Sequence, residues 1–114
     1  MTVQILRRGV VVTVAATGVY SGKPRPAVVI QADRWLQVHP SVTLCPLTST
    51  LLEVPLVRLD VKPSRLNGLQ KPSQLMLDKL LTVPIRAIGA AMGQLEPGDL
   101  AALDLALRDW LGLT

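Results

Sequence analysis

Two short segments of the chain carry side chains suited to chemistry on a phosphate. Lys23-Pro24-Arg25-Pro26 sets a guanidinium between two prolines. Each proline fixes its own φ and restricts the residue before it, so the Arg25 side chain leaves a stiff backbone. Leu44-Cys45-Pro46-Leu47-Thr48-Ser49-Thr50 then places three hydroxyls just past a proline, where a strand would be ending. An arginine fork beside Thr and Ser hydroxyls meets the needs of a phosphate site. The fork donates two charge-assisted hydrogen bonds to phosphate oxygens, and the hydroxyls add neutral ones. The same residues also suit a plainer arrangement, in which Arg25 pairs with a carboxylate and the hydroxyls sit in an ordinary turn. Residue types and spacing leave both open.

Other chemistry is poorly supplied. The chain has no GxGxxG, no P-loop motif, no HExxH and no CxxC, and a lone His39 cannot make a two-histidine nuclease. Cys45 is the single cysteine. Its apolar strand neighbours and the lack of a nearby His point to packed core rather than a nucleophile. One cysteine also excludes a disulfide framework and a multi-Cys zinc site, and suits a reducing compartment. His39 precedes Pro40 in an expected loop and reads as a surface or structural residue. No metal and no cofactor are expected.

The elements that must position these residues are mostly strands. Val10–Ala16, Ala27–Gln31, Val42–Leu47, Leu56–Val61, Gln74–Leu77, Leu80–Val83 and Ala90–Leu95 are rich in Val, Leu or Thr, and Pro, Gly or Asn bound them. Short strands at such spacing predict an antiparallel sandwich or small barrel. Gly22-Lys23-Pro24 and Asn67-Gly68 are expected loops. The end differs: Leu100, Leu103, Leu107 and Leu111 recur at helical spacing, with Pro97 fit for the first turn and Asp99 near the positive end of the helix dipole. One C-terminal helix, Pro97–Leu111, should pack its leucine stripe on the sheet.

The 114 residues suit a single domain, 1–114, with 49% apolar and 18% charged residues, which excludes a disordered chain. Aromatics are 3% with no Phe, so Leu, Val, Ile and Ala must fill the core. The charge is uneven. Residues 1–95 carry eleven basic and four acidic side chains, a surplus of seven, whereas residues 96–114 carry one and four. A basic body points towards a polyanion as partner. Arg7-Arg8 followed by Val10–Ala16 imitates a signal peptide, but the apolar stretch is short and β-branched and reads better as a strand. The longest uncharged run, Trp35–Leu52, holds two prolines and many hydroxyls and is no membrane helix. The chain reads as cytosolic.

Taken together, these segments resemble a known family. Arg8-Gly9, then Lys23-Pro24-Arg25-Pro26-Ala27-Val28-Val29-Ile30, then Cys45-Pro46-Leu47-Thr48-Ser49 resemble the MazF/PemK toxins of bacterial toxin–antitoxin pairs. So do Lys71-Pro72-Ser73-Gln74, Asp78-Lys79 with Thr82-Val83-Pro84, and Ile88-Gly89 with Gly93-Gln94-Leu95 before a helix. The resemblance follows family order and covers almost the whole chain. It implies a mainly β (α+β) fold, a small Src-homology-like antiparallel barrel with helices shared with the CcdB gyrase poisons, and a homodimer. It also implies metal-independent, sequence-selective cleavage of single-stranded RNA to 2′,3′-cyclic phosphate and 5′-hydroxyl ends, and a cognate antitoxin protein as second partner.

Residue by residue, the resemblance puts Arg25 on the family's catalytic Arg and Thr48 on its catalytic Thr. Asp78 aligns with an Asp that some members use as general base. Those members have an Arg two residues earlier, where this chain has Met76, so a buried structural Asp78 bonding the Thr48 loop is the alternative. Val10 stands where the family usually has an acidic residue, and it can neither accept a hydrogen bond nor pair with a cation. Lys23, Ser49, Tyr20, Lys79 and Arg86 are the candidate RNA contacts, with Arg34 and Lys71 as further backbone contacts. Tyr20 or Trp35 could stack a base, Trp35 serving as packing otherwise. Two rival readings keep the fold and change the function. One is a gyrase poison, whose Trp-Gly-Ile ending the tail Trp110-Leu111-Gly112-Leu113 faintly resembles. The other is a binding barrel weakened in catalysis, favoured if Val10 marks lost activity. A poison has no need of Arg25 and Thr48 together.

Overall fold

The structure is a computed structural model and describes residues 6–15, 23–53 and 57–113. The seven expected strands form, with ends moved by one or two residues at most of them: β1 (Val10–Val14), β2 (Arg25–Val29), β3 (Ser41–Thr48), β4 (Arg58–Val61), β5 (Ser73–Met76), β6 (Leu81–Pro84) and β7 (Ile88–Gln94). They make one antiparallel sheet in the order β4-β5-β3-β2-β1-β7, and β6 pairs with β3 beside this path. The C-terminal helix, here α2, spans the expected Pro97–Leu111. A second helix was not expected: α1 is a single turn at Asp33–Leu36.

The middle strands are buried on both faces. Val11, Val28, Cys45, Leu47 and Leu75 pack in one cluster beneath Leu103 and Leu107 of α2. Val12, Val14, Ala27, Val29, Val42 and Leu44 point the other way and are covered by Leu6 and Leu36. Neighbouring residues of a strand face opposite sides, so a strand covered on both sides must be apolar throughout. That is why Val10–Val12 and Ala27–Val29 read as unbroken apolar runs. Leu111, at the end of the expected stripe, is instead exposed, as is Trp110.

Arg8 ties the ends of the chain together. Its Nε donates to the Ile30 carbonyl at 2.9 Å, its backbone N–H donates to Asp33 Oδ1 at 2.6 Å, and its Nη2 lies 2.7 Å from Asp104 Oδ1 in α2. The last pair is close but not aligned as a hydrogen bond. The carboxylates around Arg8 therefore come from α1 and α2, and position 10 contributes none.

β3 changes partners along its length. Ser41–Leu44 pair with β6 and Leu47–Thr48 pair with β5, with Pro46 between the two sets. On its other side β3 pairs with β2 only as far as Ala27–Pro46. Ile30 N–H donates to the Thr43 carbonyl, which sets the alternation: Ile30, Val28 and residue 26 turn their backbone nitrogens towards β3. Residue 26 is proline and has no N–H, so the ladder stops there. Past that point β2 and β3 part.

Candidate active site

An open cleft of about 260 Å³ occupies the place where the two strands part. Arg25 and Pro26 of β2 form one side, and Leu47 and Thr48 of β3, with Ser49 and Thr50 just beyond it, form the other. Leu69, Gln70, Lys71, Ser73 and Met92 close the remaining edge. Arg25 and Lys71 bring positive charge, the hydroxyls bring neutral donors, and no Asp or Glu is among the lining residues. Such a lining attracts an anion.

The hydroxyl loop has a defined geometry. The Thr50 N–H donates to Thr48 Oγ1 at 3.1 Å, so the Thr48 oxygen is held by an acceptor bond and its own proton is left to give. Arg25 is exposed at the start of β2, as a side chain meeting a large ligand must be.

The Lys71 edge is built from the turn that the sequence predicted at Asn67-Gly68. Asn67 is fully buried; its Oδ1 accepts from the Ser64 and Leu69 N–H groups at 3.0 and 2.9 Å, and its Nδ2 donates to the Lys62 carbonyl at 2.9 Å. Ser64 Oγ in turn donates to Glu96 Oε2 at 2.6 Å. Gly68 has φ +71 and lies against the Met92 carbonyl, so a Cβ there would collide with backbone. Gly93 lies equally close to the Leu66 carbonyl. These contacts seat Leu69, Gln70 and Lys71 at the rim.

Of the residues singled out from sequence, Arg25, Thr48, Ser49 and Lys71 meet in the cleft. Lys23 is exposed two residues before Arg25 but does not line it. Lys79 and Arg86 are exposed on short 3-10 turns, Leu77–Lys79 and Ile85–Ala87, outside the lining. Asp78 shares the first of these turns and is exposed, which corrects the reading of a buried Asp bonding the Thr48 loop. Tyr20 lies outside the described residues. Trp35 is 51% exposed, with the Arg34 guanidinium 5.4 Å from its ring centroid, so it is not core packing. His39 is exposed, and its Nδ1 accepts from the Ser41 N–H at 3.1 Å. Cys45 is fully buried, and burial pushes its thiol up to about 12, which makes it inert at neutral pH. Thr50, the third hydroxyl of the expected run, also lines the cleft. Sequence reasoning missed Gln70 and Met92; their only signal is adjacency to residues already singled out.

The family model for the PemK-like, MazF-like toxins of type II toxin–antitoxin systems matches residues 7–111. The chain is also 41% identical over 108 residues, 95% of its length and 98% of the relative's, to a probable endoribonuclease MazF of Mycolicibacterium smegmatis. The chain belongs to the PemK/MazF toxin family. Its fold is that of solved MazF toxins. A MazE–MazF structure from Deinococcus radiodurans superposes with a TM-score of 0.80 at 21% identity, covering 97% of this chain and 99% of that one. An endoribonuclease in complex with its cognate antitoxin, from a mycobacterial species, superposes with a TM-score of 0.77 at 19% identity, covering 96% of both chains. The PemK/MazF match spans every element that lines the cleft, from β2 to β7. Among the described residues no helix is long and apolar enough to cross a membrane.

Proposed function

We propose that this toxin is an endoribonuclease that cuts single-stranded RNA by attack of a ribose 2′-hydroxyl on the neighbouring phosphate. The new bond joins the 2′-oxygen to phosphorus, the bond to the 5′-oxygen breaks, and the products carry 2′,3′-cyclic phosphate and 5′-hydroxyl ends. The observation that carries this reading is the pair Arg25 and Thr48, on opposite lips of a cleft lined by cations and hydroxyls without carboxylates. Extra negative charge gathers on the phosphoryl oxygens in the transition state, and a fixed fork and hydroxyl donor stabilise it. Arg25 stays protonated, so it serves as charge stabiliser and as hydrogen-bond donor to the departing 5′-oxygen, while the proton lost by the 2′-hydroxyl passes to solvent and the 5′-oxygen takes one from solvent. Thr48 holds the scissile phosphate, and Lys71 and Ser49 hold the strand beside it. Asp78 stands outside the cleft and is given no step.

The cleft's own cations, Arg25 and Lys71, can supply the charge stabilisation. Cleavage should therefore persist in excess chelator. The toxin–antitoxin family description and the antitoxin complex of a structural neighbour support a cognate antitoxin as a partner that holds the toxin inactive. A homodimer is the expected assembly. The test is to incubate pure protein with long single-stranded RNA in EDTA and map the ends. Cyclic or 2′/3′-phosphate ends support the mechanism. Cleavage only with added magnesium, or 5′-phosphate ends, would refute it, and no cleavage at all would favour a binding role for the fold.

A further inference from the structure

The segment Lys71-Pro72-Ser73-Gln74 ends on a residue that the proposed chemistry does not use. Gln74 is a polar side chain only 6% exposed. Burying an amide is costly unless its donors and acceptor are matched, and here they are. Its Oε1 accepts the Leu52 N–H at 3.0 Å, and its Nε2 donates to the Leu52 carbonyl at 2.9 Å and to Asp60 Oδ1 at 2.9 Å. Arg58 Nη1 lies at 3.5 Å from the same Oε1.

The backbone adds the decisive relation. In the ladder Gln74 stands directly opposite Thr48 on β3 and Asp60 on β4. Thr48, Gln74 and Asp60 thus form one row across three strands, their side chains on the same face. The main chain of Gln74 holds Thr48, and its side chain holds both polar groups of Leu52. Everything between those two points is the loop that carries the hydroxyls Thr48, Ser49 and Thr50.

We infer that Gln74 is a positioning residue for the reaction: it closes the loop from Thr48 to Leu52 from behind and so fixes the hydroxyls opposite Arg25. This rests on the reading of Thr48 as the phosphate-facing hydroxyl. A side chain that mimics a strand's pairing with Leu52 removes the freedom of a loop that ordinary turn residues would leave loose. Near-attack geometry is sensitive to displacements of about 1 Å, which cost on the order of 100-fold.

The experiment uses the shortest RNA oligonucleotide containing a mapped cleavage site, with amide hydrogen exchange and melting as parallel readouts. Gln74→Ala should lower kcat by ~10- to 100-fold with KM moved far less, and should speed exchange at residues 50–52. Gln74→Glu keeps the size and the acceptor for Leu52 but loses both donated bonds and faces Asp60 with like charge. It should also lower kcat, and adding Asp60→Asn should restore part of it, since the new amide can donate back. A purely structural Gln74 would lower the melting temperature without this split between kcat and KM. If the variants fold, exchange faster at residues 50–52 and turn over at the wild-type kcat, the inference is wrong. Should both Gln74 variants fail to fold, Asp60→Ala at its exposed position carries the test: an unchanged kcat overturns the inference, and a fall of ~3-fold or more supports it. Thr48→Ala separates the two ideas. Full activity there would sink the site assignment itself, whereas an inactive Thr48→Ala beside fully active Gln74 variants would sink only the positioning role.

Discussion

Arg25 and Thr48 would face each other as a ladder pair if the β2–β3 register ran two residues beyond its last pair, Ala27–Pro46. They lie instead across the gap left where Pro26 offers no N–H to the Leu47 carbonyl. The next rung of the ladder thus lacks its backbone donor, at the place where the cleft lies. Pro26→Ala supplies that donor and should let the strands close by a further pair. Activity should fall by ~10-fold or more as the lips draw together, and the new amide should be protected from exchange. An unprotected amide with full activity would show that Pro26 does not hold the strands apart.

At Arg25 the shape of the cation should count as much as its charge. Arg25→Ala should lose at least ~100-fold in kcat, the scale for removing one donor to a developing oxyanion. Arg25→Lys should recover little, because a point charge cannot replace a fork. Thr48→Ser should remain measurably active where Thr48→Ala is not, since the hydroxyl survives. Single-turnover cleavage of one oligonucleotide compares all four.

Asp78 offers a sharp contrast. It is exposed on the turn after β5 and does not line the cleft. Asp78→Asn should lose less than ~3-fold in rate, under ~1 kcal/mol of barrier. A loss comparable to Arg25→Ala would instead assign Asp78 the proton that leaves the 2′-hydroxyl.

Cys45 makes stability depend on alkaline pH. Burial, helped by the charge of Asp78, raises its thiol from 9.0 to about 12. Below pH 9 the thiol is protonated in both folded and unfolded chains. Between 9.0 and about 12 the unfolded chain releases the proton and the native one keeps it. Stability therefore falls as pH rises through this window, by about 1.4 kcal/mol per unit from this group. Cys45→Ala should be less stable throughout, because it leaves a cavity, yet should show a shallower alkaline decline. Urea midpoints on both sides of pH 9 for the two proteins decide it.

Two glycines should respond oppositely to the same change. Gly68→Ala meets the Met92 carbonyl at a positive φ and should cost at least about 2 kcal/mol. Gly98→Ala in the first turn of α2 meets nothing within 4 Å and should be neutral or stabilising by up to about 1 kcal/mol. Thermal melts of the two variants give the signs directly.

The strands were legible because Pro, Gly and Asn punctuate runs of Val and Leu, and the helix because its leucines keep period. The α1 turn was not: Asp33-Arg34-Trp35-Leu36 is too short to show a period, and only Leu36 is buried. Arg25 and Thr48 were paired through the resemblance to the family; residue types and spacing alone left an ordinary strand-entry Arg and a plain turn open. Gln74 could be singled out only as part of a motif. Its partners are the main chain of Leu52 and a residue on the far strand, and no local pattern encodes bonds of that kind. Lys79 and Arg86 look from sequence like Lys71, since charge alone does not reveal which face a turn presents. The outward Trp35 likewise shows that an aromatic following an apolar strand need not be core.

The gap at Pro26 also restricts how this chain can gain or lose residues. Pro26 turns its nitrogen towards β3 only because it lies an even number of residues from Ile30, whose N–H is bound to Thr43. A single-residue insertion or deletion between them would reverse every face of β2. It would aim the missing donor at β1, close the cleft on one side and break the sheet on the other. Length variation compatible with the site must therefore occur in the connections, such as the segment around α1, or come in pairs within the strand.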